Sequence, residues 1–483
     1  MTDPRSPGMD DLLYTRMKVD TCRQIHQASL QILERTGIDV HDQQAISILE
    51  EAGAAVNGQR VRLPGDLVEW ALSVAPREMV LFDRLGNPAI TARGPQAYYG
   101  NGSDCLFILD HRTGKRRKAV LEDVRQVVKL MQVLDQMDFV MSGFLPSDVD
   151  PTIYDRYQME VMLNLTTKPI VFVTPDFRGC QIAVEMCEIV AGGEEKFRDQ
   201  PFATCYINVT SGLVANQEAL QKCIYLAQKG LPLLYIPLNA GGVNSPTTTA
   251  GCMAAMNAGT LLGIVLAQLV REGTPVGVPG WNGGPYNMKT MVGNYVLAEE
   301  QGVATSMGKY YDLPVFGLGG STDSKVLDQQ TAAEATLSLF TAHMNGANLV
   351  HDSGFMDAGM QGSLQLLAIA NDLIAFIRAA TKPVLVNQET LALDLIEDLG
   401  PEGNYLASEH TFQHYREVYY SDLADKRQYD DWLEQGGTTL EERAADQVDE
   451  LISGYQEVSL PGEVQEALKA IVSQEQARIN QEQ

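Results

Sequence analysis

The sequence predicts an α/β protein built on a closed (β/α)8 TIM barrel, extended by an N-terminal α+β region and a C-terminal helical segment. Eight apolar runs carry the prediction, each giving way to Gly-rich or polar residues: Met137–Pro146, Pro169–Asp176, Phe202–Leu213, Leu231–Gly242, Thr274–Gly284, Leu313–Lys325, Ala347–Asp357 and Val384–Leu391. Their starts are spaced by roughly 30 to 43 residues, room for one strand, one loop and one helix. No two adjacent runs are joined by a hairpin-length turn, so the strands must pair in parallel. Eight such units over about 250 residues have the size of a barrel. An open doubly wound sheet is the alternative, but it would be shorter and would show a phosphate-binding loop after an early strand.

Taken in order, residues 9–57 carry helical periodicity through Ile25, Leu30, Ile32, Leu33, Ile38, Ile46 and Leu49. Pro64–Ala75 gives a short helix. Between Met79 and Lys118 the pattern turns to short β segments, with Thr113–Gly114 marking a hairpin. Leu121–Leu134 is a helix leading into the first expected barrel strand. These boundaries place the N-terminal region at 1–136, the barrel at 137–392 and the extension at 393–483.

Within the barrel, 216–230 and 247–273 read as helices. The second is rich in Ala and Gly, which implies close packing against a neighbour and suggests a subunit interface, hence a homo-oligomer. A membrane helix is the rival reading of that stretch, opposed by Thr247, Thr248, Thr249, Asn257 and the distribution of Gly. After Leu391 the composition becomes charged and aromatic, and 439–455 forms an amphipathic helix.

Composition narrows the function. The 483 residues carry a net charge of −26, and the longest basic run, Lys115–Lys118, spans four residues, so nucleic acid is not an expected partner. No opening signal-like segment and no long apolar span are apparent, so the expected location is cytoplasmic, away from membranes. Seven cysteines without CxxC spacing indicate neither a disulfide framework nor a zinc ribbon.

Barrel sites form at the C-terminal ends of the strands, and that rule converts the runs into candidates. They are Ser142 and Asp148, Thr174 and Asp176, Asn208 and Thr210, Asn239 and Asn244, Trp281 and Asn282, Ser321 and Asp323, His351 and Asp352, and Asn387 and Glu389. Asp323 and His351 are the candidate catalytic groups, and Asn208 and Asn239 candidate polar anchors. Trp281 and Tyr286, in "VPGWNGGPYNM", could present π-faces to a cation. Tyr98 and Tyr99 are similar candidates if "AYYGNGSD" folds over the mouth, and Phe355 is a further one.

Several chemistries lack their motifs: there is no H-E-x-x-H, P-loop or G-x-S-x-G, and the seven histidines are too dispersed to suggest a metal triad, so no bound metal is expected. A resident corrinoid with a histidine lower ligand would call for D-x-H-x-x-G. "LDHRTG" (109–114) shifts the Asp by one place and "TAHMNG" (341–346) replaces it with Thr341.

Four stretches resemble one family in the same order along nearly the whole chain: "GNGSDCLFILDHRTGKRRKAVLEDV" (100–124), "LDQMDFVMSGFLPSDV" (134–149), "GGSTDSKVLDQQTAAEA" (319–335) and "GANLVHDSGFMDAGMQGSLQLLAIANDLI" (346–374). The chain is similar there to the trimethylamine methyltransferases, corrinoid-dependent enzymes with a (β/α)8 barrel. Founding members of that family use pyrrolysine, whereas this chain is written in the twenty common residues. The resemblance therefore implies the non-pyrrolysine branch, whose methyl donors are quaternary amines such as glycine betaine, proline betaine or carnitine. It also implies that cob(I)alamin is supplied by a partner corrinoid protein. A zinc-dependent corrinoid methyltransferase, another barrel lyase and a non-catalytic betaine sensor are the competing readings. For a betaine carboxylate, His351, Lys289 and backbone N–H groups are the available anchors.

Overall fold

The structure, a computed structural model, describes residues 14–281, 283–297 and 300–482. Its centre is a parallel sheet that closes on itself. The strands are β1 (Tyr98–Asn101), β2 (139–140), β3 (Ile170–Phe172), β4 (Ala203–Val209), β5 (Leu233–Pro237), β6 (Val276–Pro279), β7 (Val315–Leu318) and β8 (Leu349–Ser353). Strands β3 to β8 pair in sequence order and β8 pairs with β1. Parallel bridges Gly100↔Phe139 and Val140↔Ile170 insert β2 between β1 and β3 and complete the ring.

Seven of the eight expected runs supply barrel strands, and one does not. The run at Val384–Leu391 stays outside the barrel, with Val384, Leu385 and Val386 all exposed and a short helix at Gln388–Leu391. Its place in the ring is taken by Tyr98–Asn101, ahead of the boundary drawn at 136. The replacement is physically reasonable. All-parallel strands are buried on both faces, and "YYGN" is buried at every position, whereas three consecutive apolar residues at 384–386 meet water.

Alternation along each strand sorts the core into two parts. Tyr98, Phe139, Met141, Val171, Tyr206, Leu234, Ile236, Phe316 and Leu349 point into the barrel. Their neighbours Tyr99, Val140, Ile170, Phe172, Cys205, Ile207, Leu233, Tyr235, Val276, Val315 and Val350 point out toward the helices. The lower end of the barrel is plugged by a hairpin, Met79–Phe82 with Pro88–Ala92, whose Met79, Leu81, Ile90 and Ala92 join the interior cluster. Phe82 N–H donates to Pro201 O at 2.9 Å and Arg84 N–H to Thr167 O at 2.8 Å, fixing the plug beneath β4 and β3.

The N-terminal stretch is less uniformly helical than its periodicity suggested. Helix Val19–Gln31 and helix Gln43–Glu51 are separated by a strand, Ile38–Val40, that pairs with Arg60–Arg62 and with Val214–Ala215 in the loop after β4. The hairpin expected at Thr113–Gly114 forms, with Phe107–Leu109 antiparallel to Arg116–Lys118. In the C-terminal extension, Thr439 caps helix Leu440–Ser453 in a capping box with Glu442. That helix and Gly462–Glu482 pack on the outer helices of the barrel.

Helix Thr249–Val270 is long and apolar enough to cross a membrane, but it is buried inside the molecule. Its small residues have intramolecular uses. A Cβ on Gly259 would overlap the backbone at Gly212, and one on Gly263 would overlap the ring of Tyr235 behind β5. Gly263→Val should therefore lower stability by about 1–3 kcal/mol through overpacking. Gly462→Ala, where the new methyl meets no neighbouring atom, should change it by less than about 0.5 kcal/mol. Urea denaturation of both variants checks the contrast.

Candidate active site at the barrel mouth

Four rings form a nest in the upper barrel. Phe316 from β7 stacks on His351 from β8, with centroids 4.0 Å apart. Trp281, which follows β6, lies 4.9 Å from the His351 ring, and Tyr206 from β4 meets Phe316 at 5.0 Å and Trp281 at 6.3 Å edge to face. The strand pleat explains the group: positions 206, 316 and 351 are inward, and Trp281 continues the inward parity of β6.

Two carboxyls adjoin the rings. β8 ends in a register shift against β1, and Asp352 takes a left-handed backbone with φ of 70°, an arrangement costing on the order of 1–2 kcal/mol for a non-glycine residue. The irregularity breaks the pleat's alternation beside an inward His351, as bulges near sites often do. Asp352 is buried, and Tyr295 O–H donates to its Oδ2. Burial raises its carboxyl above the usual range, opposed by His351 and the Tyr295 hydrogen bond.

Asp104 is the second carboxyl. It still shows some surface to the mouth, yet the surrounding protein solvates its charge poorly. Burial pushes its carboxyl up to about 6, with Asp352 adding to the rise and a 2.7 Å hydrogen bond from Ser103 Oγ opposing it. The approach is enforced at Gly102, where a Cβ would overlap both the Asp352 carboxyl and the Phe355 ring.

His351 is held in orientation from behind. Its Nδ1 lies 2.5 Å from Gly317 O, so that nitrogen carries the proton and Nε2 faces Asp352 Oδ2 at 3.4 Å. Burial lowers the imidazole below its ordinary value, with Asp352 opposing. The neutral tautomer follows.

Asp323 does something different. Its oxygens accept N–H bonds from Tyr295 at 3.0 and 3.1 Å and from Val296 at 3.1 Å. Both acceptors are thus engaged with the long loop after Trp281, and Asp323 places Tyr295 against Asp352. It acts here as a positioning residue.

The remaining candidates divide. Asn208 is one inward step beyond Tyr206 on β4, and its Oδ1 is buried without a hydrogen-bond partner, as is Ser321 Oγ after β7. Such orphaned groups are costly unless something occupies them. Phe355 is buried beside Gly102 at the same mouth. Asn239 is instead a structural tie, accepting Gly212 N–H at 2.8 Å and donating to Cys252 O at 3.2 Å. Tyr286 is half-buried in a small hairpin with Val292–Gly293, and Lys289 at that hairpin's turn is exposed. Asn282 lies outside the described residues.

Tyr98 and Tyr99 are not on a loop over the mouth, because they form β1 itself. Tyr98 points into the barrel toward the hairpin plug, its Oη accepting Thr91 N–H at 3.2 Å. Tyr99 points outward, with its hydroxyl 2.8 Å from His343 Nδ1 and Arg378 over its ring. The structure brings neither to the ring nest. Conversely, Tyr206, Phe316, Tyr295 and Asp104 escaped the sequence reading. Period-two alternation back from Asn208 and from Leu318 would have found the first two; a loop returning over the mouth left no comparable signal for Tyr295.

Residues 8–480 match the family described as trimethylamine methyltransferase (MTTB). The chain belongs to that family. It is 31% identical over 455 residues to trimethylamine methyltransferase MttB of Desulfitobacterium hafniense (strain DSM 10664 / DCB-2), covering 93% of this chain and 92% of that protein. It is 26% identical over 478 residues to the glycine betaine methyltransferase of Desulfitobacterium hafniense (strain Y51), covering 97% and 98%. In fold it is similar to the Methanosarcina barkeri monomethylamine methyltransferase (MtmB), with a TM-score of 0.50 and 12% identity, over 92% of this chain and 90% of that one. The protein is accordingly a methyltransferase on a TIM barrel.

In this family member the two histidines of the near-miss corrinoid motifs are already engaged. His111 Nε2 meets Asp449 Oδ1 at 2.9 Å, and His343 is held between the Tyr99 hydroxyl and Thr381 Oγ1 at 2.9 Å.

The raised Asp104 carboxyl has a consequence for stability. Its folded value of about 6 exceeds the unfolded value of about 3.9, so its contribution is fully present below about pH 4 and is lost as pH rises through about 6. Asp104→Asn, a neutral isostere that can still accept from Ser103, should raise Tm at pH 8 relative to the parent. The difference should shrink toward zero by pH 4, which thermal melts across that range would measure.

Proposed function

We propose that this methyltransferase takes a methyl group from a quaternary amine, glycine betaine foremost, and passes it to the cob(I)alamin of a partner corrinoid protein. One observation carries the reading: a nest of four rings, Tyr206, Trp281, Phe316 and His351, set beside the buried carboxyl of Asp352 and the partly buried one of Asp104. Two neighbouring carboxyls with poor solvation are each held toward the neutral form. A fixed cation between them and the π-faces would favour their ionised forms and gain from the ring quadrupoles.

The chemistry suits such a site. In the transfer, the Co(I) electron pair forms the new bond to the methyl carbon while the C–N bond breaks, its electrons leaving with nitrogen. A quaternary nitrogen departs as a neutral tertiary amine, so no proton need be delivered to it. What the protein must supply is orientation of one N-methyl toward the open mouth. It must also hold the cation without over-stabilising it, because positive charge on nitrogen disappears in the transition state. Aromatic faces meet this requirement better than a tight ion pair, and the raised carboxyls supply a charge that is itself moderated by burial. The unpartnered Asn208 Oδ1 and Ser321 Oγ are candidates to orient the rest of the substrate, with Asn208 Nδ2 or the Ser321 hydroxyl available to a betaine carboxylate.

The expected outcome with the full chain and cob(I)alamin is methylcob(III)alamin formation from glycine betaine, with dimethylglycine as the other product and trimethylamine a poor donor. Proline betaine and carnitine belong in the same panel as alternative donors. Absorbance of the corrinoid follows the transfer. Trimethylamine turnover at a rate comparable to any betaine would sink the quaternary-amine assignment.

Trp281 is the ring of choice to test. Trp281→Leu should weaken betaine binding by about 2 kcal/mol, or tens-fold, and Trp281→Phe should retain part of the affinity. Calorimetric titration of both variants, with circular dichroism as the folding control, measures it; unchanged affinity in Trp281→Leu would make the residue a packing element only.

A further inference from the structure

The histidines that look dispersed in sequence are not all dispersed in space. His410 and His414 are one helical turn apart on Glu409–His414, their ring centroids 4.4 Å apart. The fold carries Glu389, from the exposed run after the barrel, to the same place, and the ligand atoms of all three lie within 4.8 Å of one another. His414 Nε2 is 2.5 Å from Glu389 Oε1, and its other nitrogen, Nδ1, is 3.0 Å from Glu417 Oε1. His410 Nε2 is buried with no hydrogen-bond partner.

We propose that Glu389, His410 and His414 form a divalent transition-metal site, suited to Zn2+, that braces the segment between the barrel and the C-terminal helices. Two imidazole nitrogens and one carboxylate oxygen are a donor set that Zn2+ accepts, with water completing a tetrahedron. Ligand atoms about 2.0–2.1 Å from zinc lie roughly 3.3–3.5 Å apart. The present cluster reaches that spacing by small side-chain rotations that open the Glu389–His414 contact and bring in the orphaned His410. Glu417 plays the part of the outer carboxylate that fixes a ligand's tautomer: by accepting Nδ1–H it leaves Nε2 of His414 free as a donor to metal.

The location explains why a metal would matter. None of the short helices between 388 and 434 has a buried residue, and Val384, Leu385, Val386, Leu391, Leu393 and Ile396 are exposed. With so little apolar burial the segment gains little from packing, and a metal that ties residue 389 to residues 410 and 414 would supply the missing constraint. Asp372 on helix Leu364–Ala380, which follows β8, accepts bonds from Tyr419 and Ser421 and so anchors the turn that carries them. No ring or carboxyl of the barrel mouth takes part in the cluster, so the site is structural and separate from methyl transfer.

The test uses the full chain, stripped with a chelator and titrated with Zn2+ or Co2+. One equivalent of Zn2+ should bind with affinity on the order of 1 µM or tighter, and the Co2+ form should show visible ligand-field absorption. His410→Ala and His414→Ala should each abolish that binding, and Glu417→Gln should weaken it roughly 10- to 100-fold. Zn2+ should also slow proteolytic cleavage within 384–434 in the parent but not in the His410→Ala variant. Failure of the parent to bind at 100-fold higher Zn2+, or stoichiometric binding that survives in the His410→Ala/His414→Ala double variant, would overturn the site. Binding that leaves the cleavage rate unchanged would overturn its bracing role.

Discussion

Closure of the barrel by Tyr98–Asn101 is the constraint on which the rest depends. This short strand pairs with β8 on one side and bridges β2 on the other. The Asn101 side chain secures the second junction from both ends, donating to Met141 O at 2.8 Å and accepting Met141 N–H at 2.8 Å. Asp138 takes Tyr99 N–H at 3.0 Å and is itself paired with Arg378 at 2.9 Å. Without this strand β8 and β2 would present unpaired edges. With it, the chain leaving β1 must pass through Gly102 into the mouth, and that passage delivers Asp104 next to Asp352.

The mouth then combines features that a barrel core would normally avoid. Two carboxyls and two orphaned side-chain oxygens adjoin four rings, one of them the neutral imidazole of His351, and Asp352 accepts a strained backbone to be there. Such arrangements cost stability and are found where a ligand compensates. The supporting bonds come from one layer behind: Gly317 O orients His351, and Asp323 orients Tyr295 through the loop backbone.

The long Ala- and Gly-rich helix shows how composition alone can mislead in the other direction. Its apolar length satisfies a membrane criterion, and its small residues suggest a subunit contact. Both properties are consumed inside the molecule, where Gly259 and Gly263 let the helix approach Gly212 and Tyr235. Ser29 and Asn257 supply the polar link, with Asn257 Nδ2 donating to Ser29 Oγ at 3.0 Å and to Tyr311 Oη at 2.8 Å.

The sequence by itself determined the fold class, seven of the barrel strands, and the placement of Trp281, His351 and Asn208 at the upper, inward positions of those strands. It could do so because parallel strands buried on both faces are written as local apolar runs at regular spacing, and the residue after each run is topologically obliged to face the mouth. Tertiary structure decided which eighth segment closes the ring, since "YYGN" and "VLV" are equally plausible strands until one is seen to be buried. It also decided that Asp323 positions a loop, that Asp104 and Tyr295 reach Asp352, and that Glu389 meets His410 and His414. Each of these joins residues more than 20 positions apart, and no periodicity along a chain encodes a meeting made by the return path of a loop.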